Sequence, residues 1–109
     1  KEKHLLVTTE TGLTKINILD INYIETMRHY LIIHTKNGSF KIKQSLKKIE
    51  EELKDDNFYR CNNCYLVNLD AVFRVEGEFV NVAGTELKIS RPRKKDFMEA
   101  LTLHFGGKL

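Results

Sequence analysis

Asn62 and Asn63 stand side by side between two runs rich in apolar and aromatic residues, Phe58-Tyr59-Arg60-Cys61 and Tyr65-Leu66-Val67. A primary amide carries two N–H donors and one carbonyl acceptor, so an asparagine on a fixed loop can meet the edge of a base. Two basic clusters accompany this polar tip. Lys41, Lys43, Lys47 and Lys48 form one, and Lys88, Arg91, Arg93, Lys94 and Lys95 form the other. The acids gather elsewhere, at Glu50, Glu51, Glu52, Asp55 and Asp56. A guanidinium such as that of Arg91 suits bidentate pairing with guanine O6 and N7. Its plainer alternatives are a phosphate contact or packing on a sheet. The formal charge of +3 is only mildly basic, so the placement of the cations says more than their sum.

Other chemistries find less support. Cys61 and Cys64 have CxxC spacing, but no second CxxC or histidine pair completes a zinc site. No helix follows directly, as a thioredoxin-like motif requires. Residues three apart in one strand point to opposite faces, which opposes a mutual disulfide unless the chain bends at Asn62-Asn63. A reduced pair is expected. No nucleophile–base–orienter set, paired-carboxylate pattern or glycine-rich phosphate loop is present, so neither an enzyme nor a cofactor or metal is expected. His29 with Asp20 or Glu25 makes a dyad only by selection.

The elements that hold these residues read as mainly β. At 109 residues the chain is one domain, 1–109, with a modest core. No apolar run approaches the roughly 20 residues that span a membrane, and the chain opens on Lys1 without a leader pattern. A cytoplasmic piece of a longer protein is therefore expected. Strands are predicted at His4–Thr9 and Leu13–Leu19, then a break at Asp20-Ile21-Asn22. Tyr23-Ile24-Glu25 starts the next strand, interrupted at Thr26-Met27-Arg28-His29. Tyr30–Thr35 follows, with a hairpin turn at Asn37-Gly38, where both residues tolerate positive φ, and a return strand at Ser39–Lys43. The period then changes. Ser45 is a good N-cap, Leu46, Ile49 and Leu53 recur at helical spacing, and Glu50 and Lys54 form an i,i+4 pair. After the asparagine stretch come strands with turns at Glu76-Gly77 and Ala83-Gly84-Thr85. Pro92 suits the first turn of a final helix, which Gly106-Gly107 ends. Tyr23, Phe40, Phe58, Leu66, Val72, Phe79, Val82 and Ile89 are the expected core; Tyr30 and Tyr65 have no clear place. Arg60 is expected to pair with an acid such as Glu25.

This order of pieces resembles the LytTR domain, the DNA-binding module at the C-terminus of many bacterial response regulators. The resemblance covers nearly the whole chain. It is carried by Asp20-Ile21-Asn22-Tyr23-Ile24-Glu25, His29-Tyr30-Leu31-Ile32-Ile33-His34-Thr35 and Ser45-Leu46-Lys47-Lys48-Ile49-Glu50, by the stretch from Phe58 to Asn68, and by Lys88-Ile89-Ser90-Arg91-Pro92-Arg93-Lys94-Lys95. It implies a small β-sandwich-like fold of short strands with one short mid-chain helix and a C-terminal helix. It also implies that loops, not a recognition helix, read double-stranded promoter DNA, commonly at direct repeats bound by a pair of domains. His29, Asn63 and Arg91 match the family's main contacts. Arg28, Asn62, Arg93, Lys94 and Lys95 lie beside them, the basic ones as phosphate contacts. The family commonly has His at the position of Asn62 and Ser at that of Cys64. A receiver or sensor domain would precede Lys1 in such a two-component regulator.

The alternative is a protein-interaction module on the same β scaffold, with edge strands pairing to a partner. An RNA reader would want exposed aromatics for stacking; the aromatics here read as packing residues.

Overall fold

The computed structural model describes residues 3–107; the domain bounds expected at Lys1 and Leu109 lie outside them. Among the described residues the order is β1 (His4–Thr9), β2 (Gly12–Asn17), β3 (Ile21–Met27), β4 (Tyr30–Thr35), β5 (Gly38–Ile42), α1 (Leu46–Glu52), β6 (Phe58–Asn62), β7 (Tyr65–Asn68), β8 (Val72–Glu76), β9 (Phe79–Val82), β10 (Thr85–Lys88) and α2 (Arg91–His104). The fold is mainly β, as the residue pattern predicts. No helix among the described residues is long and apolar enough to cross a membrane.

A five-stranded antiparallel sheet, ordered β5-β4-β3-β7-β6, forms the middle of the molecule. Both its faces are buried. On one face lie the β1–β2 hairpin and α1, so that Leu5, Val7, Ile16, Leu46, Ile49 and Leu53 pack against Ile24, Leu31, Ile33 and Leu66. On the other lie the β10-β9-β8 sheet and α2, where Val80, Val82, Leu87 and Phe97 meet Tyr23, Cys61 and Val67. A register shift between Ile21 and Tyr23 lets Ile21 and Ile24, three apart, share the first face. This bulge is what the sequence shows as a break at Asp20-Ile21-Asn22. The real break comes earlier, as a 3-10 turn over Ile18–Asp20 capped by the Asn17 side chain. A second such turn, Leu69–Ala71, is capped by buried Asn68, whose amide also donates to the Ile21 carbonyl at 2.8 Å.

Several details differ from expectation. β3 runs through Thr26 and Met27, and only Arg28 and His29 remain as its turn. The β4–β5 turn is Lys36-Asn37, with Gly38 at φ +130° opening β5; Asn37 does not take positive φ. The turn after β6 is Asn63-Cys64, because Asn62 still pairs with Tyr65. The turn after β8 is Gly77-Glu78. Phe79 is 44% exposed. Val80 and Val82 of the same strand face the core, so the two-residue period turns Phe79 outward. Lys54 pairs with Glu51 at 3.1 Å, which leaves Glu50 for Arg60 at 3.2 Å. Glu25 instead meets His34 at 2.6 Å, and His34 stacks on Tyr23. Two expectations hold closely: Ser45 caps α1 by accepting from the Lys48 N–H, and Pro92 lies in the first turn of α2.

Candidate nucleic-acid interface

Antiparallel pairing decides which loops meet. β3 rises to the Arg28-His29 turn, and β7 starts beside it, since Glu25 pairs with Tyr65. The Thr26 N–H donates to the Cys64 carbonyl at 2.9 Å, so the β6–β7 turn abuts β3 just below the Arg28-His29 turn. At the outer side of β6, the Ser90 N–H donates to the Cys61 carbonyl at 2.9 Å, which brings the start of α2 to the same end. The two turns lie two strand spacings apart, about 10 Å, comparable with the width of a DNA groove. His29, Asn63 and Arg91 thus share one end of the sheet.

Arg28 and His29 are exposed, and among the described residues neither side chain makes a hydrogen bond or ion pair. Arg28 has φ +47°, a left-handed conformation that costs a non-glycine residue about 1–2 kcal/mol. Asn57 and Ala83 take the same left-handed conformation, so it is the exposure of Arg28 beside His29, not the strain alone, that sets this turn apart.

Asn63 is also exposed, but its carbonyl oxygen accepts from Arg93 Nε and Nη2, both at 3.3 Å. Among the described residues its two N–H donors have no side-chain partner. Asn62 is spent differently. Its amide nitrogen donates to the Lys88 carbonyl and its oxygen accepts from the Cys64 N–H, both at 2.6 Å. The side chain therefore fastens the turn to the end of β10. Arg60 adds a bond to the backbone carbonyl of Asn63 at 3.4 Å while paired with Glu50. Arg60 and the Lys88 carbonyl are supports that the sequence does not reveal, because they depend on which elements pack together.

The first turn of α2 carries Arg91, Arg93 and Lys94 with no acid, against the usual preference for anionic residues at a helix N-terminus. Arg91 and Lys95 are exposed; Arg93 and Lys94 are half-buried. Lys94 Nζ donates to the Gly77 carbonyl at 2.6 Å, tying the helix to the β8–β9 turn. The neighbouring Glu78 is held below the usual carboxylate range, first by its hydrogen bond from Lys88 and further by Arg91 and Lys94. A backbone N–H cluster with free cations forms a site for anions such as phosphate.

Cys61 and Cys64 are both free thiols. Burial pushes the Cys61 thiol up to about 12, so it is a poor nucleophile at neutral pH. Cys64 lies exposed in the turn beside Asn63. Among the described residues no group of three or more His, Cys, Asp or Glu side chains is placed to hold a metal ion.

Known proteins resemble this chain in both sequence and fold. Transcriptional regulatory protein YpdB of Escherichia coli and that of Shigella flexneri are 26% identical over 94% of this chain. The chain spans only 42% of the length of either relative. The solved LytTr DNA-binding domain of a Bacillus cereus protein, described as a methyl-accepting/DNA response regulator, superposes with a TM-score of 0.81 at 18% identity, covering 93% of this chain and 98% of that one. The sequence pattern of the LytTr DNA-binding domain matches residues 11–102, which include both turns and the start of α2. The chain belongs to the LytTR family of DNA-binding domains.

Proposed function

We propose that this domain is the output module of a bacterial transcriptional response regulator and reads double-stranded promoter DNA through three tips. One observation carries the reading: the Arg28-His29 turn, the Asn63-Cys64 turn and the start of α2 converge at one end of a doubly buried sheet. His29 and Arg91 project free polar groups to base edges. Asn63, its oxygen held by Arg93, presents two donors and matches base edges that offer acceptors. Arg28, Arg93, Lys94 and Lys95 hold phosphates and fix the register. Asn62 positions the central tip instead of reading a base itself. The regulators it resembles are longer, which supports a receiver or sensor domain elsewhere in the same protein. Two such domains binding direct repeats belong to this reading.

The test is selection of bound duplexes from a random library, followed by His29→Ala, Asn63→Ala and Arg91→Ala on the selected site. Each is expected to weaken it by about 1–3 kcal/mol, the range for a good base contact. If all three leave affinity unchanged, the assignment of the tips is wrong.

A further inference from the structure

The lysine cluster between β5 and α1 has no part in the three tips, yet it reaches the same end of the molecule. β5 pairs with β4 so that Ile42 faces Leu31, which brings Lys43 out beside Tyr30 and the Arg28-His29 turn. A cleft of about 480 Å³ opens there between β1 and β5, lined by Thr8, Thr9, His29, Tyr30, Lys41 and Lys43. A second hollow of about 420 Å³ shares Thr8 and Lys43 with it and runs on to Lys48. Lys41 Nζ lies 4.0 Å from the centre of the Tyr30 ring, which holds that ammonium close to His29. Lys43 and Lys48 are exposed and have no side-chain partner among the described residues.

The acids nearby are mostly drawn away. Glu50 is paired with Arg60 and Glu51 with Lys54, leaving Glu10 as the acid that lines the cleft. The first turn of α1 holds Lys47 and Lys48 and no acid, the reverse of what helix electrostatics favours. A local rule broken with no compensating partner points to a demand from outside the fold. α2 shows the same reversal at the opposite edge of the sheet.

We propose that Lys41, Lys43 and Lys48 form a second phosphate-binding wing, which grips the DNA backbone on the side of His29 away from α2. This rests on the DNA-reading role of the three tips. The wing is continuous with the tip at His29, and its charge is complementary to a phosphate backbone. From the Arg28-His29 turn to β5 is one and a half strand spacings, about 7 Å, so the gripped phosphates lie about two base steps beyond the base under His29. The wing carries no sequence information and adds the same affinity to every duplex.

The experiment compares the wild-type chain with the triple variant Lys41→Gln, Lys43→Gln, Lys48→Gln. Binding is measured on a library-selected duplex and on a scrambled one, between about 50 and 200 mM salt. The triple variant is expected to lower the slope of log affinity against log salt by about 3 on both duplexes, leaving their ratio unchanged. Thermal melting should stay close to wild type, since Lys43 and Lys48 have no side-chain partner among the described residues and only the exposed contact of Lys41 with the Tyr30 ring is lost. An unchanged slope, with Arg91→Ala still weakening the selected site, overturns the wing and leaves the tips standing. A fall on the selected duplex alone overturns it as well, because it makes the lysines base readers. No salt-dependent binding by the wild type overturns the wing together with the reading on which it rests.

Discussion

Two turns at the same end of one sheet are built in opposite ways. The Arg28-His29 turn is held by its own β3–β4 ladder and, one residue below β3's end, by the bond from Thr26 to Cys64; among the described residues its side chains are unengaged, and its backbone is strained at Arg28. The Asn63-Cys64 turn is fastened from three sides, by the Asn62 amide, by Arg60 and Arg93, and by the backbone bond from Thr26. A side chain already ordered before binding loses little entropy when it binds, whereas a free one adapts at greater entropic cost. The fastened tip is suited to fixing register, the free tip to adjusting to the groove it enters.

Asn62→Ala should break this contrast most severely. It removes two hydrogen bonds, so stability should fall by about 1–2 kcal/mol in denaturant melts. The central tip loses its anchor, and affinity for a selected site should drop roughly tenfold or more. His29→Ala should lower affinity alone and leave the melt where it was. If Asn62→Ala matches wild type in both measurements, the fastening is not functional.

A double-mutant cycle sharpens the comparison. Arg93 and Asn63 share a pair of hydrogen bonds, so the effects of Arg93→Ala and Asn63→Ala on affinity should couple by about 1 kcal/mol. His29→Ala with Asn63→Ala touches no shared partner and should add within about 0.5 kcal/mol. Equal coupling in both pairs would mean that the two tips are not independently supported.

Arg28→Gly probes the free tip. Relief of about 1–2 kcal/mol of left-handed strain outweighs the roughly 0.5–1 kcal/mol that glycine loses through a more flexible unfolded chain. Stability should hold or rise slightly while affinity falls about threefold through one lost phosphate contact. A clear loss of stability would show that the Arg28 conformation is unstrained.

The thiols report on the fastened side. At pH 8 a maleimide should modify Cys64 and spare Cys61, and bound DNA should shield Cys64. Above pH 9 the unfolded chain ionises Cys61 near its ordinary value of 9.0, while the folded chain holds it protonated to about 12. The folded state then binds the extra proton, so stability should fall as pH rises through that window. Cys61→Ser, measured across the same range against its own value at pH 8, should show a shallower decline.

The pattern of strands, the Ser45 cap and the Pro92 start could be read from local chemistry, because each depends on residues within a few positions. The turns were displaced by one residue where strand pairing, not turn propensity, decided their bounds; Asn62 pairs with Tyr65 although it is a good turn former. Asn63 and Arg91 were legible as polar groups at element ends. Their meeting at one end was not, since it depends on β7 lying beside β3 and on β10 ending at Asn62. The partner of Arg60 was misplaced for a similar reason. Glu25 lies two strands away across β7, on the opposite face of the sheet from Arg60, whereas α1 packs on the face from which Arg60 emerges and supplies Glu50.

Glu78 gives the smallest effect and the finest test of how the α2 side is tuned. It is exposed in the β8–β9 turn, paired with Lys88 at 3.1 Å and within the field of Arg91 and Lys94. A carboxylate among cations that hold phosphate competes with that phosphate, so Glu78→Gln should raise affinity for all duplexes alike, by about two- to threefold at low salt. The gain should fade as salt rises, because the group is fully solvated. It should also fade as pH falls, because the wild-type carboxylate protonates; its depressed pKa places that change below the usual glutamate range. Among the described residues no carboxylate is paired to the side chains of the Arg28-His29 tip, so the tuning by a paired acid belongs to the α2 side. A gain confined to one sequence would instead place Glu78 beside a base.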